Sequence, residues 1–382
     1  MSEPLIPRNV YTEEHEMFRD SVKKFMEKEV KPYHEQWEKD GQVSREVWKK
    51  AGEAGLLCSH LPEEYGGYGV DFRYSAIVIE EQLAAFATGP GFSLHSDIAA
   101  PYILHYGNEE QKKKYLPQLA SGEKISAIAM TEPGAGSDLA GVKTTAVLDG
   151  DDYVINGSKT FITNGQMADV IVVVAKTDTS AGAKGVSLFI VEADMPGFQR
   201  GQNLNKVGMK AQDTSELFFD NVRVPKENLL GGEGKGFIYL MQELPQERLS
   251  VALMGAAAAK ACYEATVEYV KDRQAFGKPI AALQNTRFKL AEIRTELEVS
   301  QAYVDRCLEL HCEKKLSVEA AAAAKLWMTE AQCRIIDECV QLHGGYGYMW
   351  EYPVARAYAD ARVQRIYAGT SEIMKEIISR TI

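Results

Sequence analysis

The apolar residues of this 382-residue chain change period twice, and that change limits the fold more than any motif does. Up to about residue 125 the spacing is helical: Phe18, Val22, Phe25 and Met26 form one stripe that Pro32 should end. Ser44 is placed to cap a helix carrying Val47, Trp48 and Ala51, and a third helix should run from Asp71 through VIEEQLA to Gly89. From about 126 to 230 the pattern becomes β-branched, alternating or continuously apolar, in ISAIAMT, DYVINGSKTFITN, DVIVVVAKT, GVSLFIVEAD and ELFFDNVRVP. Asn156-Gly157 is the strongest hairpin signal. Beyond Gly236 the helical period returns, through 251 to 270 and the Ala-rich stretch 319 to 331. Helices, then sheet, then helices is the order these periods predict.

Charge and cysteine content exclude several functions. The formal net charge is −11, from 43 basic and 54 acidic side chains, with no basic block, so nucleic acid is not an expected partner. Apolar runs are too short for a membrane span, and MSEPLIPRNVYTEEHEMF has neither an h-region nor an Arg-rich transit pattern. The expectation is a cytoplasmic protein, or a matured one of the mitochondrial matrix. Six cysteines occur without C-x-x-C or zinc-type spacing. Cys307 and His311 share a helical face, but no metal is expected, and most of the thiols read as small core residues. GGEGKGF, 231 to 237, lacks phosphate-loop spacing, and HGGYGY, 343 to 348, follows no strand; alone, both read as tight turns.

At the C-terminal end, RIYAGTSEIMKEII turns sharply at Ala368 and resumes as a helix capped by Thr370, with Ile366, Ile373, Ile377 and Ile378 on its apolar side. This segment, with MTEPGAGSD (130 to 138), KTFITNG (159 to 165), DRQAFGKPI (272 to 280) and QLHGGYGY (341 to 348), resembles the acyl-CoA dehydrogenase family. MQELPQERL, 241 to 249, and TGPGFSLHS, 88 to 96, are most similar to its long-chain branch. The resemblance implies an α+β, mostly α fold: an N-terminal helical domain (1–125), a barrel-like β domain (126–232) and a C-terminal helical bundle (233–382).

It further implies an FAD enzyme that oxidises medium-long to long-chain fatty acyl-CoA to trans-2-enoyl-CoA, with electrons passing to electron-transferring flavoprotein and the chain forming a homotetramer. Such chemistry needs a base for the α proton and donors to the thioester oxygen. Many members carry Glu where this chain has Ala368; the long-chain and isovaleryl branches place the base on an earlier helix, where Glu247 stands. Pro245 would suit the first turn of that helix, putting Glu247 near its N-terminus, where the dipole favours ionisation while burial opposes it. Without the resemblance, a lone Glu reads as a surface acid.

By the same resemblance, Ile128, Met130, Thr131, Gly136 and Ser137 hold the flavin edge, with Ser137 also on the substrate side, and Phe161 and Thr163 flank the ring system. Arg273, Phe276, Gln284, Gln341, Gly344 and Gly345 reach the FAD of a neighbouring subunit, while Thr370 and Glu372 meet FAD near the corner. The Ala368 amide or its neighbour's, with a ribityl hydroxyl of FAD, forms the oxyanion donor pair, and Leu244, Arg248 and Gly369 line the substrate wall. Gly89, Pro90 and Gly91 fall at the floor of the acyl pocket, where small residues leave room for a long chain. A branched-chain or isoprenoid-type dehydrogenase (isovaleryl- or citronellyl-like), an acyl-CoA oxidase, a nitroalkane-oxidising flavoenzyme and a noncatalytic helical binding protein are the alternatives.

Overall fold

The computed structural model describes residues 4–382. Six helices come first: α1 (Glu13–Phe25), α2 (Lys31–Asp40), α3 (Arg45–Glu53), α4 (Phe72–Ala84), α5 (Ala100–Tyr106) and α6 (Glu109–Ala120). Pro32 does not end the first stripe. A π-helical turn, Met26–Val30, carries α1 directly into α2, and Pro32 sits in the first turn of α2, where a missing N–H costs nothing. Ser44 caps α3 by accepting from the Val47 amide, and Val47, Trp48 and Ala51 are buried. Asp71 caps α4, but that helix stops at Ala84 rather than reaching Gly89. The segment that follows is shaped by its contacts: Gln82 donates to the carbonyls of Ala87 and Pro90, and the Gly89 amide donates to His34 Nε2.

The middle region is an eight-stranded sheet of β1 (Ser126–Ala129), β2 (Thr145–Asp149), β3 (Asp152–Thr163), β4 (Val170–Lys176), β5 (Val186–Glu192), β6 (Phe198–Asn203), β7 (Thr214–Pro225) and β8 (Leu229–Leu230). The strand order is β6-β7-β3-β2-β4-β5-β8, with β1 parallel to β4. Strands β4 and β5 are buried on both faces, which is why they read as unbroken apolar runs. Val170, Val172 and Val174 pack toward α5 and α6, while Ile171, Val173 and Phe189 pack with Ile155 and Leu217 inside the sheet. The hairpin lies elsewhere than expected: β2 and β3 turn at Gly150-Asp151, and Asn156-Gly157 falls inside β3. There the register against β7 shifts between Ile155 and Gly157, so the Asn-Gly pair marks a bulge.

The C-terminal region contains α7 (Gly236–Asp272), a small ribbon of β9 (Gln274–Ala275) and β10 (Lys278–Pro279), α8 (Gln284–Cys312), α9 (Val318–His343), α10 (Pro353–Ala361) and α11 (Ser371–Ser379). GGEGKGF is the turn entering α7, and Gly344–Tyr348 is a 3-10 turn between α9 and α10. Helices α7 and α9 approach closely at Gly255, where a built Cβ meets Met328 Cβ at 3.4 Å. Leu249, Leu253 and Ala256 share a core with Met328, Ile335 and, from α4, Ile79. Ile366 lies outside α11 and is exposed, and Met374 is the fully buried apolar residue of that helix. All six cysteines are free thiols, and among the described residues no helix is long and apolar enough to cross a membrane.

Candidate active site

A cavity of about 670 Å³ opens where the end of the sheet meets α7 and the turn before α11. Its β wall starts where β1 runs out into residues 130 to 138. That segment is fastened to β3. The fully buried Lys159 ammonium donates to the Met130 carbonyl at 3.1 Å and to Glu132 Oε1 at 2.8 Å, and the Thr160 amide donates to the Thr131 carbonyl. Glu132 also accepts from the amides of Lys143 and Thr144. These bonds set Met130 and Thr131 beside Phe161 and Thr163. Phe161 sits at a second register break in β3, with φ of +59° and 66% of its surface exposed. An L residue held in the left-handed region, presenting an aromatic face to open space, is a conformation a strand does not adopt for its own stability.

The opposite wall is helical. Glu247 is buried on α7, and among the described residues it is the buried carboxylate that lines the cavity, since Asp138 and Glu376 are exposed. Tyr102 Oη, on α5, donates to Glu247 Oε1 at 2.9 Å, and no donor among the described residues reaches Oε2. Burial raises the Glu247 pKa to about 7; the Tyr102 hydrogen bond opposes that shift, Glu243 one turn earlier adds to it, and Arg248 opposes it. The expected reason for this position needs correction. Helix α7 begins at Gly236, so Pro245 lies in its interior and Glu247 is far from the positive end of the dipole. Pro245 removes the amide that would bond the Met241 carbonyl, a mid-helix irregularity beside the cavity. Arg248 is buried too, its Nε has no hydrogen-bond partner among the described residues, and burial lowers its pKa, with Glu247 opposing.

The third component is the corner at Ala368, φ +52°, and Gly369, φ +96°. Two successive positive φ values reverse the chain before Thr370, whose Oγ1 caps α11 by accepting from the Ile373 amide. Among the described residues, the Ala368 N–H has no acceptor. A backbone donor left open on a cavity wall is available to a ligand.

The cavity brings together Ile128, Met130, Thr131, Gly136, Ser137, Phe161, Thr163, Leu244, Glu247, Arg248, Ala368 and Gly369, and also takes in Pro90 and Gly91. Thr370 and Glu372 stand at the start of α11 and are not among the residues that line the cavity. Arg273, Gln341, Gly344 and Gly345 line a separate groove of about 560 Å³, where Arg273 lies over the Tyr346 ring. Phe276 projects from the β9–β10 turn with 91% of its surface exposed, and Gln284 is exposed at the first position of α8. Sequence reasoning missed Tyr102, Glu243 and Lys325. Glu243 had a signal, four residues before Glu247 on a helix; Lys325, alone in AAAAKLWM, had another. Tyr102 had none. Among the described residues, no group of three or more His, Cys, Asp or Glu is arranged to hold a metal ion.

Comparison with known proteins places this architecture. The N-terminal, middle and C-terminal domain models of acyl-CoA dehydrogenase match residues 12–123, 127–222 and 234–382. The mitochondrial long-chain specific acyl-CoA dehydrogenase of Sus scrofa is 57% identical over 98% of this chain and 88% of its own length. An acyl-CoA dehydrogenase structure from Geobacillus kaustophilus superposes with a TM-score of 0.96 at 52% identity, covering 98% of this chain and 99% of that one. A glutaryl-CoA dehydrogenase from Mycobacterium smegmatis, solved in complex with FADH2, superposes with a TM-score of 0.90 at 31% identity over 97% and 95% of the two chains. Three domains in the same order, with the cavity at their junction, show that this chain belongs to the acyl-CoA dehydrogenase family.

Proposed function

We propose that this chain, an oxidoreductase with FAD as cofactor, converts medium-long to long-chain fatty acyl-CoA to trans-2-enoyl-CoA with Glu247 as base. The observation that carries the reading is Glu247 itself: a buried carboxylate on the cavity wall, with one oxygen held by Tyr102 and its pKa raised to about 7. A base poised near neutrality suits abstraction of the weakly acidic α proton of a thioester. The open N–H of Ala368, on the same cavity, is the donor toward the thioester oxygen, where charge gathers as that proton leaves.

The cavity residues fit the flavin. Phe161 offers a bare aromatic face, and a Cβ built on Gly136 meets nothing within 4 Å, so the backbone there is open to close approach. Thr131 and Thr163 supply hydroxyls on the same wall. When bound, FAD takes up the hydride equivalent from the β carbon. The protein's own part is to hold the thioester between Glu247 and the Ala368 amide, with Leu244 and Arg248 on the wall and water excluded by the apolar lining. The second groove supports a shared cofactor site in a homotetramer: Gly344 and Gly345 have open backbones, Arg273 is exposed beside them, and Phe276 projects into solvent. Electron-transferring flavoprotein is the proposed electron acceptor.

Chain length is read from the floor. A Cβ built on Gly91 would stand 2.2 Å from Asn164 Oδ1, so glycine permits that close packing, and Pro90 and Gly91 put no long side chain into the cavity. Each further methylene buried contributes about 0.8 kcal/mol until the floor is reached. The test is anaerobic flavin bleaching with butyryl-, octanoyl-, dodecanoyl- and hexadecanoyl-CoA, with enoyl product quantified and reoxidation by electron-transferring flavoprotein compared with oxygen. Dodecanoyl-CoA should outrun butyryl-CoA, and the flavoprotein should outrun oxygen. The reverse orders would support a short-chain enzyme and an oxidase, respectively.

A further inference from the structure

Lys325 lies on α9 among Ala321, Ala322, Ala324 and Met328, and none of its surface is exposed. An ammonium so placed loses its hydration, and a methionine of similar length would pack there without that cost. What distinguishes lysine is its donor, and Lys325 Nζ donates to the Gly369 carbonyl, at the corner that carries the open Ala368 amide. Five residues along the same helix, Glu330 accepts from Arg365 Nε at 2.9 Å and from Ser371 Oγ at 2.7 Å. The turn is therefore gripped before, within and after its two positive-φ residues, each time from α9.

We infer that Lys325 is a positioning residue: with Glu330 it clamps the Ala368–Gly369 corner to α9, so that the Ala368 N–H keeps a fixed relation to Glu247. The inference rests on the reading of that N–H as the donor to the thioester oxygen. It follows from what the corner lacks. Ala368 has only a methyl group, its amide has no acceptor among the described residues, and Gly369 is the residue least able to hold a dihedral by itself. The reference frame is rigid because α9 packs tightly on α7 at Gly255, two turns beyond Glu247, and Arg248 of α7 lies beside Gly369. Base and donor are thus located from one helix pair, although they are far apart in sequence.

The test uses the FAD-loaded enzyme and its Lys325→Met, Lys325→Arg and Ser371→Ala variants. Three quantities are measured: hydrogen exchange at the amides of Ile366, Tyr367, Ile373 and Met374; kcat and KM with dodecanoyl-CoA; and the affinity for dodecyl-CoA thioether, which has no carbonyl for the corner to hold. Lys325→Met should speed exchange at those amides and lower kcat by about a hundredfold, the scale of losing one oxyanion donor. Thioether affinity should stay within about twofold, because binding without a carbonyl makes no demand on the donor. Lys325→Arg should restore most of both quantities, and Ser371→Ala should move exchange the same way by less. Unchanged exchange in Lys325→Met overturns the inference, as does unchanged exchange in Ser371→Ala should the first variant not fold. Glu247→Gln keeps the two readings apart. It should stop turnover with normal corner exchange, and retained turnover would remove the base assignment while leaving the exchange result standing.

Discussion

On the β wall of the cavity, Met130, Thr131, Phe161 and Thr163 come from two neighbouring stretches of chain and are fixed by backbone pairing and the buried Lys159–Glu132 ion pair. On the helical wall, Glu247 and Ala368 come from distant elements, Glu247 held by the Tyr102 side chain of α5 and the Ala368–Gly369 corner by the Lys325 side chain of α9. The lining of the first wall is uncharged apart from exposed Asp138, while the second carries buried ionisable groups whose pKa values burial has moved. A wall that holds a flat cofactor needs shape; a wall that moves a proton needs a carboxylate kept close to neutrality. Substitutions on the two walls should therefore fail in different ways.

The largest effect belongs to the helical wall. Glu247→Gln keeps the size of the side chain and its contact with Tyr102 but accepts no proton. Flavin reduction by dodecanoyl-CoA should fall by about 10²–10⁴-fold while cofactor content and substrate affinity persist. Near-normal reduction in stopped-flow would erase the contrast between the walls. Next comes Lys159→Met on the β wall. Removing one partner of a buried pair costs about 3–5 kcal/mol, and the low end applies because Glu132 keeps two backbone donors. The expected signs are a lower Tm and weaker FAD retention, measured by thermal melting and by flavin release on dilution, with the pH dependence of the remaining activity unchanged. A shifted pH profile with normal FAD retention would reverse the assignment of roles.

A third substitution probes the space at the corner. Ala368→Glu in the Glu247→Gln background supplies a carboxylate from the other side of the cavity and should recover part of the straight-chain rate. In the otherwise unaltered chain, it should exclude acyl-CoAs branched near the α carbon, which the methyl group of Ala368 leaves room to admit. Equal turnover of straight and 2-methyl-branched substrates before and after the change would show that the corner does not set this preference.

The two walls also differed in how far sequence revealed them. The order of helices and sheet followed from period alone, because β4 and β5 are buried on both faces and α7 and α9 are rich in small apolar residues. Boundaries were less secure, since Pro32 opens a helix as readily as it ends one and Asn156-Gly157 serves a bulge instead of a turn. The β wall was readable because its residues sit in contiguous motifs. The helical wall was readable at Leu244, Glu247, Arg248, Ala368 and Gly369 through family resemblance, and the dipole argument attached to Glu247 was wrong because Pro245, a residue suited to a first turn, lies inside a helix that already begins at Gly236. Tyr102 and Lys325 act across long sequence separations, and local pattern holds no record of such contacts.

The smallest effect concerns the setting of the Glu247 pKa. As a base, Glu247 must be ionised, so kcat/KM should rise with pH through about 7 in the free enzyme. Tyr102 Oη donates to Oε1 and favours the charged form, so Tyr102→Phe should raise the pKa and move this limb to higher pH. A hydrogen bond to a charged group is worth about 1.5–3 kcal/mol, and one pH unit corresponds to about 1.4 kcal/mol, so the limb should move by about one to two units. Its plateau at high pH should change little, because the carboxylate itself remains. Glu243 pushes the other way: its charge disfavours a second anion one turn along α7, and Glu243→Gln should lower the Glu247 pKa and move the limb to lower pH. The informative quantity is the opposite sign of the two shifts. If both variants moved the limb in one direction, or if Lys159→Met on the β wall moved it as far as either, the titrating group would not be Glu247, and proton chemistry would not belong to the helical wall.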